Sequence, residues 1–314
     1  MRIGVIGSGG VGGYFGAQLA AHGQDVVFVA RGEHHAAMRS RGLQILSDLA
    51  PVHIQDARVT DSIDELGPID LAFITVKLWD TQVVAEKLAP HLDERSTVIS
   101  LQNGVTKDDL LRQHLPAQRL MGGACYISAA IKEPGVIQHN GLLARIVFGE
   151  FGGHLTARVE RIREVLLASG IDADASANIE DVLWRKYVFL VGLSALTTAT
   201  RQPVGVLRDI PATRRLLRQT MAEVVAVAHS RGIELPATFT DDQIDFVDTL
   251  PHEMTSSMLN DLEHGRRLEL PWLTDSVVHM GAEAGVPTPA NEFLGTVLRP
   301  YVDGGKRPPR TPRP

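Results

Sequence analysis

The chain has 314 residues, enough for one large or two ordinary domains with sizeable apolar cores. Hydrophobic residues make up 44% and charged residues 22%, the balance of a soluble globular protein, and the formal net charge of −6 argues against a nucleic-acid surface. A single cysteine, Cys125, excludes an intrachain disulfide scaffold.

Met1 to Gly7 (MRIGVIG) predicts a short buried strand, Val11 to Gly23 an amphipathic helix ended by a glycine, and Asp25 to Arg31 (DVVFVAR) a second buried strand. Between the first strand and the helix, Gly7, Gly9 and Gly12 follow a G-x-G-x-x-G pattern inside a β-α-β unit of roughly the ~30 residues such a unit needs. A turn without side chains lets the backbone approach a pyrophosphate, whose charge the first-turn amides of the helix stabilise. Gly7, Ser8, Gly9, Gly10, Val11 and Gly12 are therefore the predicted dinucleotide-binding stretch. At the end of the second strand a carboxylate would accept hydrogen bonds from a ribose 2′-hydroxyl, whereas an arginine accommodates a 2′-phosphate. Arg31 there favours NADP(H), with Glu33 as an alternative ribose ligand.

The strand beginning at residue 2 predicts no signal or transit segment, and no apolar run approaches the ~20 residues of a membrane span. The expectation is a cytoplasmic protein with neither membrane nor nucleic-acid partner. The histidines lack ligand-like spacing, His34 and His35 read as a solvated helix start, and no metal is expected.

A polar helix over Glu33 to Arg41 and a small strand pair from Leu43 and Val52 come next. Asp70 to Val76 (DLAFITV) has the continuous apolar run of a central parallel strand. Lys77 follows at its carboxyl end, where open α/β sheets bind ligands, so it serves cofactor or substrate unless it is a solvated loop lysine. Thr81 to Leu92 predicts a helix and Ser96 to Leu101 a strand ending in Gln102-Asn103-Gly104. Asn103 could orient a nicotinamide carboxamide or a substrate oxygen, or simply make the turn. From Leu120 to Glu150, three strand-like pieces (ACYISAAI, GVIQH, ARIVFG) separated by Pro134-Gly135 and Asn140-Gly141 suggest an antiparallel extension. A helix over Leu155 to Ser169 and a strand over Ile171 to Ala175 complete a first domain, residues 1–176.

Residues 177–303 read as an α-helical domain. Asn178 to Thr200 is apolar around nearly its whole circumference, which predicts a buried helix. Further helices are predicted over Ala212–Arg231, Thr240–Leu250, Ser256–His264, Leu273–Ala284 and Asn291–Tyr301. Residues 304–314 (GGKRPPRTPRP), proline-rich and basic, read as a flexible tail. Within the long helix, burying the ammonium of Lys186 would cost several kcal/mol unless paired, which favours proton release. Such a lysine can protonate a ketone oxygen as hydride arrives at carbon, or it snorkels at the surface. Ser256, Ser257 and Asn260 in TSSMLND could hold a carboxylate or cap the helix. Glu269 could orient Lys186 or a substrate hydroxyl, or remain a surface charge.

The ordered set Gly7-Ser8-Gly9-Gly10-Val11-Gly12, Arg31, Thr75-Val76-Lys77-Leu78-Trp79, Gln102-Asn103-Gly104, Trp184-Arg185-Lys186, Thr255-Ser256-Ser257-Met258-Leu259 and Glu269 resembles the ketopantoate reductases (2-dehydropantoate 2-reductases) over essentially the full length. The resemblance implies an α/β Rossmann-type N-terminal domain and an all-α C-terminal domain like that of 6-phosphogluconate dehydrogenase. It also implies NADPH-dependent reduction of 2-dehydropantoate to pantoate, a step toward pantothenate and coenzyme A. By resemblance Lys186 is the general acid, Glu269 positions the reacting groups and Ser257 binds the substrate carboxylate, with Ser194 and Asn260 also on the substrate side. Asn103 lies between nicotinamide and substrate, while Lys77 and Arg31 serve the cofactor.

The chain departs from the family where asparagines commonly follow the lysine by one and two helical turns: here stand Leu190 and Ser194. It departs again after Glu269, which continues as Leu270-Pro271-Trp272-Leu273-Thr274-Asp275. Leu190 and Trp272 favour another, more apolar 2-oxo acid as the alternative substrate, and a non-catalytic NADP(H) sensor is the alternative of another class. The apolar helices leave room for a homodimer.

Overall fold

The computed structural model describes residues 1–305, so the tail expected over 304–314 lies outside the described residues from 306 on. Two compact units divide the chain, Met1–Leu183 and the residues from Trp184 on.

The first unit contains β1 (Arg2–Ile6), α1 (Gly10–Ala21), β2 (Asp25–Val29), α2 (Gly32–Arg41), β3 (Leu43–Ser47), β4 (Val52–Ile54) and β5 (Val59–Thr60). It continues with β6 (Leu71–Ile74), α3 (Thr81–Leu88), β7 (Thr97–Ser100), α4 (Lys107–Arg112), β8 (Leu120–Glu133), β9 (Val136–Gly149), α5 (Ala157–Ala168) and β10 (Asp172–Ala175). One mixed sheet runs β4-β3-β9-β8-β7-β6-β1-β2-β5, with β10 paired to β9. From β5 to β8 every pairing is parallel. That part, β5-β2-β1-β6-β7-β8, is the 3-2-1-4-5-6 order of a dinucleotide-binding sheet, whose ligand crevice opens where the order reverses, between β1 and β6.

The amphipathic expectation for α1 needs correction, because Gly12 through Leu19 are all buried. The helix touches β1 and β2 on one side and β3, β4, β8 and β9 on the other, so the curled sheet leaves it no solvent face. Its four glycines cost about 0.5–1 kcal/mol each relative to alanine. Burial of Tyr14, Phe15 and Leu19, about 1.5–3 kcal/mol apiece, outweighs that cost.

The expected separation of GVIQH from ARIVFG is also corrected: both belong to β9, the partner of β8 in a hairpin turning at Pro134-Gly135. Opposite Ile127 and Ala129 the register jumps from Ala144 to His139, and residues 140–143 bulge out. The two halves of β9 serve different parallel neighbours, β3 at residues 136–139 and β10 at 145–148, and the bulge absorbs the mismatch. Gly141, at φ +78°, donates its N–H to Asp48 at 2.7 Å and carries the chain through it.

α6 (Ile179–Thr200) leads into the second unit, followed by α7 (Val204–Asp209), α8 (Pro211–Ser230), α9 (Phe239–Thr249), α10 (Ser257–Glu263), α11 (Thr274–Ala284) and α12 (Pro289–Leu298). No strand occurs among its described residues. Val191 through Thr198 of α6 are all buried, as its apolar circumference requires. Arg208 of α7 donates to the carbonyls of Val247, Asp248 and Leu250, placing a cation at the carboxyl end of α9 where the helix dipole favours it. Among the described residues, no helix is long and apolar enough to cross a membrane.

Candidate active site

At the head of β1 the chain turns on Gly7, whose φ of +101° lies in the region that glycine tolerates. The N–H groups of Gly7 and Ser8 both donate to the Val29 carbonyl, at 3.1 and 3.0 Å, fastening the turn to the end of β2. Thr75, at the end of β6, donates its hydroxyl to the Gly7 carbonyl at 2.7 Å. The glycines have unequal duties. A Cβ on Gly7 would lie 2.6 Å from the Val76 nitrogen, on Gly10 2.1 Å from the Ala129 carbonyl, and on Gly12 2.5 Å from the Gly7 carbonyl, so these three permit close packing. A Cβ on Gly9 would meet nothing within 4 Å. Gly9 is the residue that faces open space, at the N-cap of α1, which has no side-chain cap and no acidic residue in its first turn. An anion fits there.

The other first-unit candidates gather at the same sheet edge. Arg31, exposed at the N-cap of α2, places Nη1 3.6 Å from Asp80 Oδ2. Lys77 and Asn103 each follow the carboxyl end of a parallel strand, β6 and β7, and both are half-buried. The Lys77 ammonium stands 5.9 Å from the centre of the Trp79 ring. Arg31 and Lys77 place positive charge at this edge, so the residues present fit a dinucleotide's phosphates, in shape at Gly9 and in charge at these two residues.

His34 corrects the expectation of a solvated helix start. Its Nδ1 accepts from the Gly135 N–H at 3.0 Å, which leaves the proton on Nε2, donated to the Ser8 carbonyl at 2.8 Å. The ring therefore braces the glycine turn against the β8–β9 hairpin, and its burial pulls the pKa below the ordinary histidine range.

In the second unit, Lys186, Leu190 and Ser194 recur every fourth residue along α6 and share a face. Lys186 is half-buried, a milder environment than the fully buried ammonium expected from the apolar run around it. Its chain neighbours explain the difference: Trp184, Tyr187 and Val188 point to the core, whereas Arg185 and Lys186 lie at its margin. The Ser194 hydroxyl is buried without a hydrogen-bond partner among the described residues. Ser256 is the N-cap of α10, its hydroxyl accepting from the Leu259 N–H at 3.1 Å, and it bonds Thr197 of α6 at 2.8 Å. Ser257 and Asn260 are exposed on α10, and Glu269 is buried at the head of the 3₁₀ turn Leu270–Trp272. Tyr187, next to Lys186, donates its hydroxyl to the Leu273 carbonyl at 2.7 Å. Burial raises the Tyr187 pKa, keeping the phenol protonated as a donor. This bond ties the helix bearing Lys186 to the turn that Glu269 opens.

Sequence reasoning missed His34, Asp80, Gln102 and Tyr187 as supports. Gln102 and Asp80 lay inside or beside quoted motifs. His34 and Tyr187 carried no signal, because their partners are distant backbone carbonyls and amides.

The dinucleotide sheet, the glycine turn and the lysine-bearing helical unit define an NAD(P)H-dependent oxidoreductase acting on CH–OH groups rather than a non-catalytic sensor. Residues 3–153 match the family model described as ketopantoate reductase PanE/ApbA, and residues 178–302 match its C-terminal counterpart. The chain belongs to the ketopantoate reductase family. It is 30% identical over 303 residues to a 2-dehydropantoate 2-reductase of Archaeoglobus fulgidus, covering 96% of this chain and 98% of the relative. It is 28% identical over 332 residues to one of Mesorhizobium japonicum, covering 97% and 99%. The crystal structure of 2-dehydropantoate 2-reductase from Geobacter metallireducens superposes with a TM-score of 0.89 at 29% identity, covering 96% of this chain and 99% of that one.

Proposed function

We propose that this protein reduces 2-dehydropantoate to pantoate with NADPH, with Lys186 as the general acid. The observation that carries the reading is the coupling, within the helical unit, of Lys186 to the Glu269 turn through the Tyr187–Leu273 bond. When bound, the reduced nicotinamide supplies a hydride to the ketone carbon. Gly9 and the first-turn amides of α1 hold the pyrophosphate, Arg31 and Lys77 the 2′-phosphate, and Asn103 orients the reacting groups. Lys186 gives its proton to the ketone oxygen, so that no alkoxide accumulates, and Glu269 orients that ammonium. Ser257 and Asn260 bind the substrate carboxylate, and Ser194 offers its unpartnered hydroxyl to a substrate oxygen.

Leu190 favours a second reading, a more apolar 2-oxo acid on the same machinery. On the Lys186 face a leucine offers no hydrogen bond to a substrate hydroxyl, a loss of about 0.5–1.5 kcal/mol, and Trp272, three residues after Glu269, is a second apolar side chain in the proposed machinery. Measuring kcat/KM for NADPH oxidation across 2-dehydropantoate and branched and aryl 2-oxo acids tests both. The first reading expects 2-dehydropantoate to lead; preference for an aryl or branched acid replaces it with the second.

A further inference from the structure

The charge around Arg31 does not belong to cations alone. Asp80 ends the 3₁₀ turn that follows Lys77, its N–H donating to the Lys77 carbonyl at 2.9 Å, so a carboxylate and the second cation share one short segment. Asp80 also occupies the N-cap of α3, where an aspartate ordinarily accepts from the first amides of the helix. It makes no such bond. Its carboxylate lies instead 3.6 Å from the Arg31 guanidinium, and both side chains are open to a ligand, at 61% and 34% exposure for Arg31 and Asp80.

We infer that Asp80 sets the nucleotide preference of this chain, its carboxylate competing with a 2′-phosphate for Arg31 and thereby narrowing the advantage of NADPH over NADH. This deepens the function proposed above and rests on its assignment of Arg31 to the ribose 2′ position. A phosphate monoester carries about −1.5 to −2 charges at pH 7. To reach Arg31 it must displace Asp80 or sit beside it as a like charge. A free 2′-hydroxyl meets the opposite situation, because a carboxylate is the acceptor that NAD sites present to it. The same side chain thus opposes one nucleotide and suits the other. The charged group the structure places beside Arg31 is Asp80; Glu33, exposed in the first turn of α2, follows Arg31 by two residues in the chain, and Lys77 precedes Asp80 by three.

The test is direct titration of NADPH and NADH, followed by nucleotide fluorescence without any keto acid, for the natural chain and for Asp80→Asn and Asp80→Ala. Each variant should raise the ratio Kd(NADH)/Kd(NADPH) by roughly five- to tenfold, the range expected for removing one partly exposed charge beside a doubly charged group. The increment should shrink at high salt. A ratio unchanged within about twofold in both variants, with both nucleotides still binding, overturns the inference and leaves the proposed function standing. If neither nucleotide binds the natural chain, the dinucleotide reading falls and takes the inference with it.

Discussion

The side-chain amide of Gln102 donates to the Thr81 hydroxyl at 2.7 Å, joining the segment after β7 to the first residue of α3. The network around it is closed in one direction. Ser100 donates to Gln102 Oε1, Gln102 Nε2 donates to Thr81 and to the Val76 carbonyl, and Thr81 passes its own proton to the Leu78 carbonyl. Val76 and Leu78 flank Lys77, and Asn103 follows Gln102. One buried amide therefore sets the positions of both neighbours. Gln102→Ala should lower the unfolding free energy by about 1–3 kcal/mol, the cost of leaving buried polar partners unsatisfied. It should also weaken nucleotide binding. Urea unfolding with nucleotide titration checks this, and a variant that matches the natural chain in both would show the network to be idle.

The glycine turn separates two requirements that the sequence pattern merges. Gly9→Ala places its Cβ in open space at a φ of −75°, which any residue adopts, so the melting temperature should stay close to that of the natural chain. Nucleotide affinity should fall, because the methyl group occupies the volume a pyrophosphate needs. Gly10→Ala should do the reverse first, destabilising the fold by driving a methyl into the Ala129 carbonyl. Thermal melts and nucleotide titrations on the pair distinguish the roles; a large loss of stability in Gly9→Ala would contradict this division.

Much of this architecture was legible because its signals are local. The glycine spacing, the apolar run Leu71–Ile74 and the nearly all-round apolar surface of α6 each specify an element from its own residues. What escaped was decided at a distance. α1 looked amphipathic because nothing in its sequence reveals that β3, β4, β8 and β9 cover its outer side. Asn140-Gly141 looked like a hairpin turn because the split duties of β9 depend on β3 and β10. Among the candidate site residues, Arg31 and Lys77 stand out by position after strands, whereas Asp80 becomes a candidate only because Arg31 lies beside it in space.

His34 provides a pH-dependent test. Its neutral ring is required, since protonation of Nδ1 would abolish the bond from the Gly135 N–H. Burial lowers its folded pKa below the unfolded value, so between the two the unfolded chain binds more protons and stability rises with pH. The contribution is fully present above the unfolded value of about 6.5 and is lost as pH falls through the folded one. The melting temperature of the natural chain minus that of His34→Gln should therefore shrink on acidification below about pH 6.5. A difference that stays constant across that window would remove His34 from the linkage.

Glu223 of α8 is buried and accepts from the Ala290 N–H at 2.8 Å, the Asn291 N–H at 2.9 Å and the Asn291 side-chain amide at 2.8 Å. It supplies from another helix the cap that α12, beginning with Pro289, does not provide for itself. Glu223→Ala strands these donors, and an unfolding free energy lower by roughly 2–5 kcal/mol is expected. Glu223→Gln keeps one acceptor oxygen and should fall between. Denaturant midpoints measure both; a loss below about 0.5 kcal/mol in the alanine variant would mean that solvent substitutes for the carboxylate.

Lys186 separates chemistry from architecture. The lysine stands on the face of α6 shared with Leu190 and Ser194, while Tyr187 beside it anchors the helix to the Leu273 carbonyl. Lys186→Ala removes the proposed proton donor but leaves that anchor in place. Its kcat should fall by about 10² or more, the usual contribution of a positioned proton donor, with only a small change in melting temperature. Tyr187→Phe should show the complementary pattern: a loss of stability of about 1–2 kcal/mol from the unsatisfied carbonyl, with a smaller drop in kcat as Lys186 loses its fixed setting. Steady-state kinetics and thermal melts on the two variants decide the matter, and near-normal kcat in Lys186→Ala would take the lysine out of the mechanism.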